Sequence, residues 1–158
     1  NDEVDLGEKL SADVRDMVRS KLNDLPTVAR RALVLAACSR RNAFDVNTVK
    51  AMLDADSAAG VSASLKPVTL PLLIAHLDRA ADEGLIRRSD ELPAKDGRYA
   101  FCHDTIMEAA GSIAEEGGRD DCILLCKRVA SVLQDLHARA EAATVAMAAL
   151  VEEEEDDD

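Results

Sequence analysis

Apolar residues recur every three or four positions through most of this chain, which is the period of an amphipathic helix. Residues that can cap a helix precede several of these stretches, and turn-forming residues follow them. The six predicted helices begin near Ser11, Thr27, Asp45, Val68, Asp104 and Asp120. Gly84 ends the fourth, because glycine readily takes the left-handed conformation that closes a helix. Residues 56–66 are rich in Ser, Ala and Gly and are expected to form a loop.

Between the fourth and fifth helices the pattern changes from helical spacing to alternation. Residues 85–88 and 98–102 are predicted strands, and the polar, turn-rich residues 91–97 join them. Helices followed by a two-stranded hairpin are the element order of a winged helix-turn-helix. The predicted fold class is therefore mostly α, a winged-helix-like helical domain with a short two-stranded wing and extra C-terminal helices.

These patterns divide the chain into four parts. We expect an N-terminal acidic segment with the first helix over 1–22 and a winged-helix-like module over 23–103. A C-terminal helical extension follows over 104–150, and a disordered acidic tail over 151–158. The tail prediction rests on seven consecutive carboxylates at 152–158, which repel one another.

The charge of the chain bears on its partners. The formal net charge is −12, and removing the seven charges of 152–158 leaves −5 for the rest. The fourth helix carries one outward cation, Arg79, against three outward carboxylates, at Asp78, Asp82 and Glu83. The charge therefore disfavours a nucleic-acid partner, since phosphate contacts need a basic surface. The basic residues of the wing are Arg87, Arg88, Lys95 and Arg98. They favour either the solubility of the wing or binding to an acidic partner.

The distribution of apolar residues also indicates where the protein resides. The longest apolar stretches are too short to span a bilayer, and the first residues lack the pattern of a signal peptide. Aromatic residues make up only 2 % of the chain, which predicts a thin core that leans on neighbouring domains. We expect a fragment of a larger cytoplasmic protein without a membrane partner.

Cysteines are the candidate metal ligands of this chain. Cys122 and Cys126 are four residues apart on one predicted helix, as paired ligands can be. Zinc usually takes four ligands, and the spacing of Cys38 and His137 does not require them to converge with that pair. The sequence therefore predicts reduced, mostly buried thiols and neither a metal site nor a catalytic residue.

Several short patterns occur in a characteristic order: Ala36-Ala37-Cys38, Phe44-Asp45-Val46, Gly84-Leu85-Ile86, and Tyr99-Ala100-Phe101-Cys102-His103-Asp104-Thr105-Ile106 followed by Ala109-Ala110. Over residues 22–136 the chain resembles the region that follows the ATPase core in STAND-type AAA+ signal-transduction ATPases. The likeness is strongest to the predicted-ATPase segments of multi-domain sensor kinases. Gly111 stands where that family usually has an aromatic residue, and Cys126 where it often has His.

The resemblance implies a role for His103 and Asp104. In that class, ADP or ATP with Mg is bound mainly by an upstream ATPase core. A winged-helix His, similar to that of the MHD motif of immune receptors, contacts the β-phosphate of ADP. By resemblance His103 would make this contact, and Asp104 would orient the backbone and cap the helix. A helix N-terminus suits phosphate because its free N–H groups carry partial positive charge.

The resemblance further implies a non-catalytic regulatory segment, which would relay nucleotide state from the upstream core of the same chain to downstream helical-repeat or effector domains. The 158 residues contain no Gly-x-x-x-x-Gly-Lys-Ser/Thr loop, so this segment is not expected to be an enzyme. Three alternatives stay open. The His-Asp pair can be a structural helix cap, the chain can be a helical protein-interaction or scaffold module, and winged-helix DNA binding is the least favoured.

Overall fold

The computed structural model describes residues 2–58, 67–89 and 97–155, with side chains described over 12–58, 67–89 and 97–152. Within these ranges the chain is mostly helical, with six helices and three short strands. The elements are α1 (Asp2–Asp24), α2 (Thr27–Cys38), β1 (Ala43–Asp45), α3 (Val46–Ala58), α4 (Leu70–Asp82), β2 (Ile86–Arg88), β3 (Arg98–Phe101), α5 (Asp104–Glu116) and α6 (Arg119–Glu155).

The order of elements from α2 to β3 is winged-helix-like, and the predicted mostly-α fold class is confirmed. The predicted strands pair as antiparallel β2 and β3, but the sheet has three strands in the order β1-β3-β2. β1 was missed because three residues are too few to show an alternating pattern. It adds to the free edge of β3, with Phe44 opposite Tyr99.

The strand register gathers the aromatic residues on one face of the sheet. The ring centroids of Phe44 and Tyr99 are 6.1 Å apart, and those of Phe44 and Phe101 are 5.5 Å apart. Ile86, opposite Phe101 in the register, is also buried. All three described aromatic residues of the chain are thus in one cluster that fixes the sheet against the helices.

α2 lies at the centre of the helical layer. It packs against α3, α4, α5 and α6, and most of its residues are buried. The buried set is rich in alanine, which lets neighbouring helices approach closely. Its members are Ala29, Ala32, Leu33, Val34, Leu35, Ala36 and Ala37. A core poor in aromatic residues is therefore closed by short interhelical distances.

Several predicted helix ends are confirmed. Asp45 caps α3, because its Oδ1 accepts from the Thr48 N–H at 2.8 Å and its Oδ2 from the Thr48 hydroxyl at 2.8 Å. Gly84 follows α4 with a φ of +78°, the left-handed conformation expected of it. Thr27, predicted as a cap, is instead the first residue of α2, and Pro26 precedes it without a side-chain cap.

Three boundaries differ from the prediction. α1 begins at Asp2, before the expected start at Ser11. α3 continues to Ala58, so residues 56–58 are helical, and residues 59–66 of the predicted loop lie outside the described residues. α6 likewise continues to Glu155, into the predicted disordered tail, of which 156–158 lie outside the described residues.

α6 has 37 residues, which corresponds to about 55 Å of helix. Its first half packs against α3, α5 and α2, and Leu125 and Val129 are buried there. From His137 to Glu152 every residue is exposed, so the second half projects from the domain as an arm. Among the described residues, no helix combines the length and apolar character needed to cross a bilayer.

Candidate functional site

The predicted site residues lie at the junction between β3 and α5. The Cys102 N–H donates to the Leu85 carbonyl at 3.2 Å, so strand-like pairing continues one residue beyond β3. His103 follows in an extended conformation, with φ −148° and ψ 151°, and occupies the N-cap position of α5. Asp104 is therefore the first helical residue, as the sequence predicted.

At this helix start no side chain caps the helix. The His103 carbonyl accepts from the Ile106 N–H at 3.1 Å and from the Met107 N–H at 3.4 Å, which is the first turn of α5. The imidazole makes no capping hydrogen bond, and both His103 and Asp104 are exposed. The N–H groups of Asp104 and Thr105 belong to the first turn and have no acceptor within the helix. The junction thus combines an exposed imidazole with helix-terminal N–H groups.

The residues that follow the His-Asp pair in the sequence pattern pack against the core, and together with that pair they form what we call the His-Asp signature. Ile106, Ala109 and Ala110 are buried, and α5 packs against α1 and α2. The signature therefore has two parts with separate physical roles. Its apolar residues attach α5 to the core, and its first two residues stay at the surface.

Cations of the α2–β1 turn lie next to the same junction. The Phe101 N–H donates to the Asn42 carbonyl at 3.0 Å, which places the chain before β1 alongside the end of β3. Arg40 and Arg41, just before Asn42, are exposed. Arg40 has a φ of +58°, a left-handed conformation that is unusual for a residue with a side chain. Two exposed cations thus directly precede the residue that contacts the end of β3.

The helix that a DNA-binding winged helix would use for recognition is α4, and here it has a different role. Asp78 of α4 accepts a hydrogen bond from the Tyr99 hydroxyl at 2.9 Å and pairs with Arg88 Nη2 at 2.6 Å. Burial raises the pKa of the Asp78 carboxyl, but the hydrogen bonds from Arg88 and Tyr99 outweigh it and lower the pKa overall. Asp82 remains exposed on this helix. The α4 surface therefore does not favour contact with phosphates.

A buried carboxylate that the sequence analysis assigned to a loop joins three helices. Asp56 of α3 is 2 % exposed. Arg31 of α2 donates to it through Nε at 2.8 Å and Nη2 at 2.7 Å, and Arg128 of α6 lies at 3.3 Å. Its position was visible in the sequence, because Asp56 continues the three-and-four spacing of Val49 and Met52. The space beside Asp56, lined also by Met52, is too tight for a water molecule.

Three cysteines meet where the end of α2 packs on α6. Beyond the effect of burial, Cys126 lies close enough to raise the pKa of both the Cys38 and the Cys122 thiol. The spacing of Cys38 in the sequence did not require this closeness, which arises because α2 packs against α6. Burial raises the pKa of the Cys38 thiol to about 12, and the nearby Cys126 and Cys122 add to the shift. Such a thiol is a weak nucleophile at neutral pH, so the cluster is a packing feature.

His137 does not join this cluster, since its Nε2 lies 3.2 Å from Glu141 Oε1 on the exposed arm. Among the described residues, no group of three or more His, Cys, Asp or Glu side chains is placed to hold a metal ion.

Comparisons of the chain with protein-family models, with curated proteins and with solved structures return no match.

Proposed function

We propose that this chain is a non-catalytic regulatory segment of a STAND-like AAA+ signalling protein, which senses bound ADP through His103 and relays the change to neighbouring domains. The observation that carries the proposal is the position of His103. It is an exposed N-cap residue whose imidazole has no capping role at the start of α5. A side chain placed in this way is available to a ligand held by another domain.

The chemistry of the junction suits a phosphate. The first-turn N–H groups of Asp104 and Thr105 and the partial positive charge of the helix N-terminus favour an anion. The His103 imidazole would donate a further hydrogen bond, and Arg40 and Arg41 would add positive charge nearby. Asp104 would orient the backbone and stabilise the helix start through the helix dipole. Nucleotide and Mg would be held mainly by an upstream core.

The relay follows from the two-part signature. Ile106 and Ala110 attach α5 to the core, so a contact made at His103 is rigidly coupled to the α1–α2–α5 packing. Loss of that contact on exchange of ADP for ATP would let this module move as a body away from the nucleotide-binding core. Such a movement requires two defined arrangements with different affinity for ADP.

The test is ADP binding by calorimetry, in the longest natural polypeptide that carries this segment behind its nucleotide-binding core. His103→Ala should weaken ADP binding about 10- to 150-fold, which corresponds to the ~1.5–3 kcal/mol of a charged hydrogen bond. His137→Ala is the matched control, because His137 is exposed and lies on the arm. It should leave the affinity unchanged.

An unchanged ADP affinity in the His103→Ala protein would contradict the sensor proposal. Circular dichroism of the variant tests whether the side chain has a structural role instead. Loss of a structural cap lowers the unfolding midpoint, whereas loss of an outward-facing sensor residue leaves it near that of the parent protein.

A helical interaction module is the second candidate, and the exposed arm favours it. Val145, Met147 and Leu150 are each more than half exposed, whereas apolar side chains of this size are usually covered. This candidate requires no nucleotide effect at His103. A partner that docks on the apolar surface of α6, with ADP affinity insensitive to His103→Ala, would favour it over the sensor proposal.

A further inference from the structure

The arm of α6, residues 137–152, carries apolar side chains that no described part of the chain covers. Val145, Met147, Leu150 and Val151 are 69 %, 66 %, 58 % and 57 % exposed. Residues 142–151 contain no charged side chain. A helix that is apolar all round is normally buried. The arm is therefore a surface that a partner would cover.

One face of the arm continues the face that packs α6 onto the domain. Leu125 and Val129 are buried, and Leu133 packs partly against the core. The same three-and-four spacing runs on through the arm, and we name its exposed members the arm stripe. The arm stripe consists of Ala140, Ala143, Met147 and Leu150. This is the heptad pattern by which one helix packs along another.

We propose that the arm stripe is an interface at which two copies of this chain pair through antiparallel α6 arms. The order of small and large residues carries the argument. In an antiparallel pair centred at position 145, Ala140 of one copy lies opposite Leu150 of the other, and Ala143 lies opposite Met147. Each small residue thus receives a large one, which is how close-packed helix interfaces fill their volume. A parallel pair would place each residue opposite itself.

The charges of the arm disfavour the parallel orientation. The acidic end of the arm begins at Glu152, and the antiparallel pairing places it beside position 138 of the other copy, next to Arg139 and between Asp135 and Glu141. A parallel pair would instead bring two wholly acidic ends together, which is more unfavourable. The small-to-large pattern therefore carries the proposal, and the charges select the antiparallel arrangement.

The size of the interface sets the expected affinity. Sixteen helical residues offer a strip of about 24 Å by 10 Å, well below the ~800 Å² per partner of a typical stable complex. Two copies also repel through their net charge of −12 each, which salt screens over a Debye length of about 8 Å. We expect a weak dimer, detectable at protein concentrations of about 0.1–1 mM.

The test is sedimentation equilibrium of the 158-residue chain over that concentration range at fixed ionic strength. Met147→Glu places a carboxylate in the arm stripe and should weaken dimerisation at least about tenfold. Val145→Glu is the matched control, with the same charge change at a similarly exposed position. The two positions are separated by about 200° around the helix, so Val145 lies on the opposite side of the arm. The control should dimerise as the parent does.

Arg139→Glu tests the orientation. In the antiparallel pair it places a carboxylate beside the acidic end of the other copy, so dimerisation should weaken. In a parallel pair it would only replace the repulsion between two arginines by repulsion between two carboxylates, so unchanged dimerisation would overturn the proposed arrangement.

Two further outcomes would overturn the proposal. A chain that stays monomeric throughout the concentration range does not pair through its arm, and a different occupant then covers the arm stripe. Equal weakening by Met147→Glu and Val145→Glu would show association without a defined face. Neither variant touches the packed half of α6, so unfolding of the domain does not confound the comparison.

Discussion

Tyr99, like Arg88, joins the sheet to α4 through a polar contact with Asp78. Its ring packs on Phe44, and its hydroxyl donates to the Asp78 carboxylate at 2.9 Å. Burial raises the pKa of Tyr99 to about 12, and the hydrogen bond to Asp78 adds to the shift. The ordinary value for tyrosine is about 10. Protonated Tyr99 thus contributes stability that is complete below about pH 10 and is lost as the pH rises through 12.

This shift can be measured directly, because the chain contains one tyrosine and no tryptophan. The phenolate ultraviolet absorbance of the folded protein should titrate with a midpoint of about 12. Asp78→Asn should bring the midpoint nearer to the ordinary value, since it removes a negative acceptor but not the burial. Asp82→Asn, with the same charge change on the exposed side of α4, should alter it little. A native midpoint near 10 would contradict the buried Tyr99–Asp78 contact.

Gly97 is the second residue with a specific structural requirement. Its φ is +99°, and a Cβ at this position would lie 2.5 Å from Val46 Cγ1. Gly97→Ala should therefore lower the free energy of unfolding by about 1–3 kcal/mol, as measured by urea denaturation.

Gly111→Ala supplies the comparison for Gly97. Gly111 lies inside α5, and an added Cβ would have no neighbour within 4 Å. This substitution should raise the free energy of unfolding by up to about 1 kcal/mol, because alanine loses less conformational entropy in a helix. Equal effects of the two substitutions would argue against the tight approach of Gly97 to Val46.

At the scale of elements, the Asp56 carboxylate is the polar contact that holds α2, α3 and α6 together. Asp56→Asn keeps the shape of the side chain but removes the negative charge that pairs with both Arg31 and Arg128. The free energy of unfolding should fall by about 2–4 kcal/mol, since two partly buried cations lose their counter-ion. Chemical denaturation measures the change.

Asp54→Asn is the control for this prediction. Asp54 lies on the same helix and pairs with Lys50 at 2.8 Å, but its side chain is 54 % exposed. Its loss should change the free energy of unfolding by less than about 0.5 kcal/mol. If Asp56→Asn were as mild as Asp54→Asn, the three-helix contact would not be a structural determinant.

Elements with strong local signals were predictable, and those fixed by distant partners were not. α4 has regular apolar spacing and a terminal glycine, and the structure places it within a few residues of the prediction. β1 has three residues and exists because the edge of β3 is available to pair with it. The missed end of α3 has the same cause, since its last turn is stabilised by arginines from α2 and α6.

On the scale of the whole molecule, the chain consists of a packed body and an exposed arm. The body encloses α2 within the other helices and the sheet, whereas residues 137–152 make no buried contact. Ala-rich composition allows such an arm to stay helical, because alanine has the highest helix propensity. The arm is the part of the molecule whose apolar side chains no described residue covers.

Local sequence was enough to predict the helical periods, the cap at Asp45, the turn at Gly84 and the position of His103 and Asp104 at a strand-to-helix junction. Each depends on residues within one or two turns, so the local order of side chains suffices. Packing across the molecule determines that Asp56 is buried between arginines, that three cysteines lie close together, and that the His103 imidazole makes no capping hydrogen bond. These features depend on side chains far apart in the chain, and packing of the helices and the sheet brings them together or leaves them exposed.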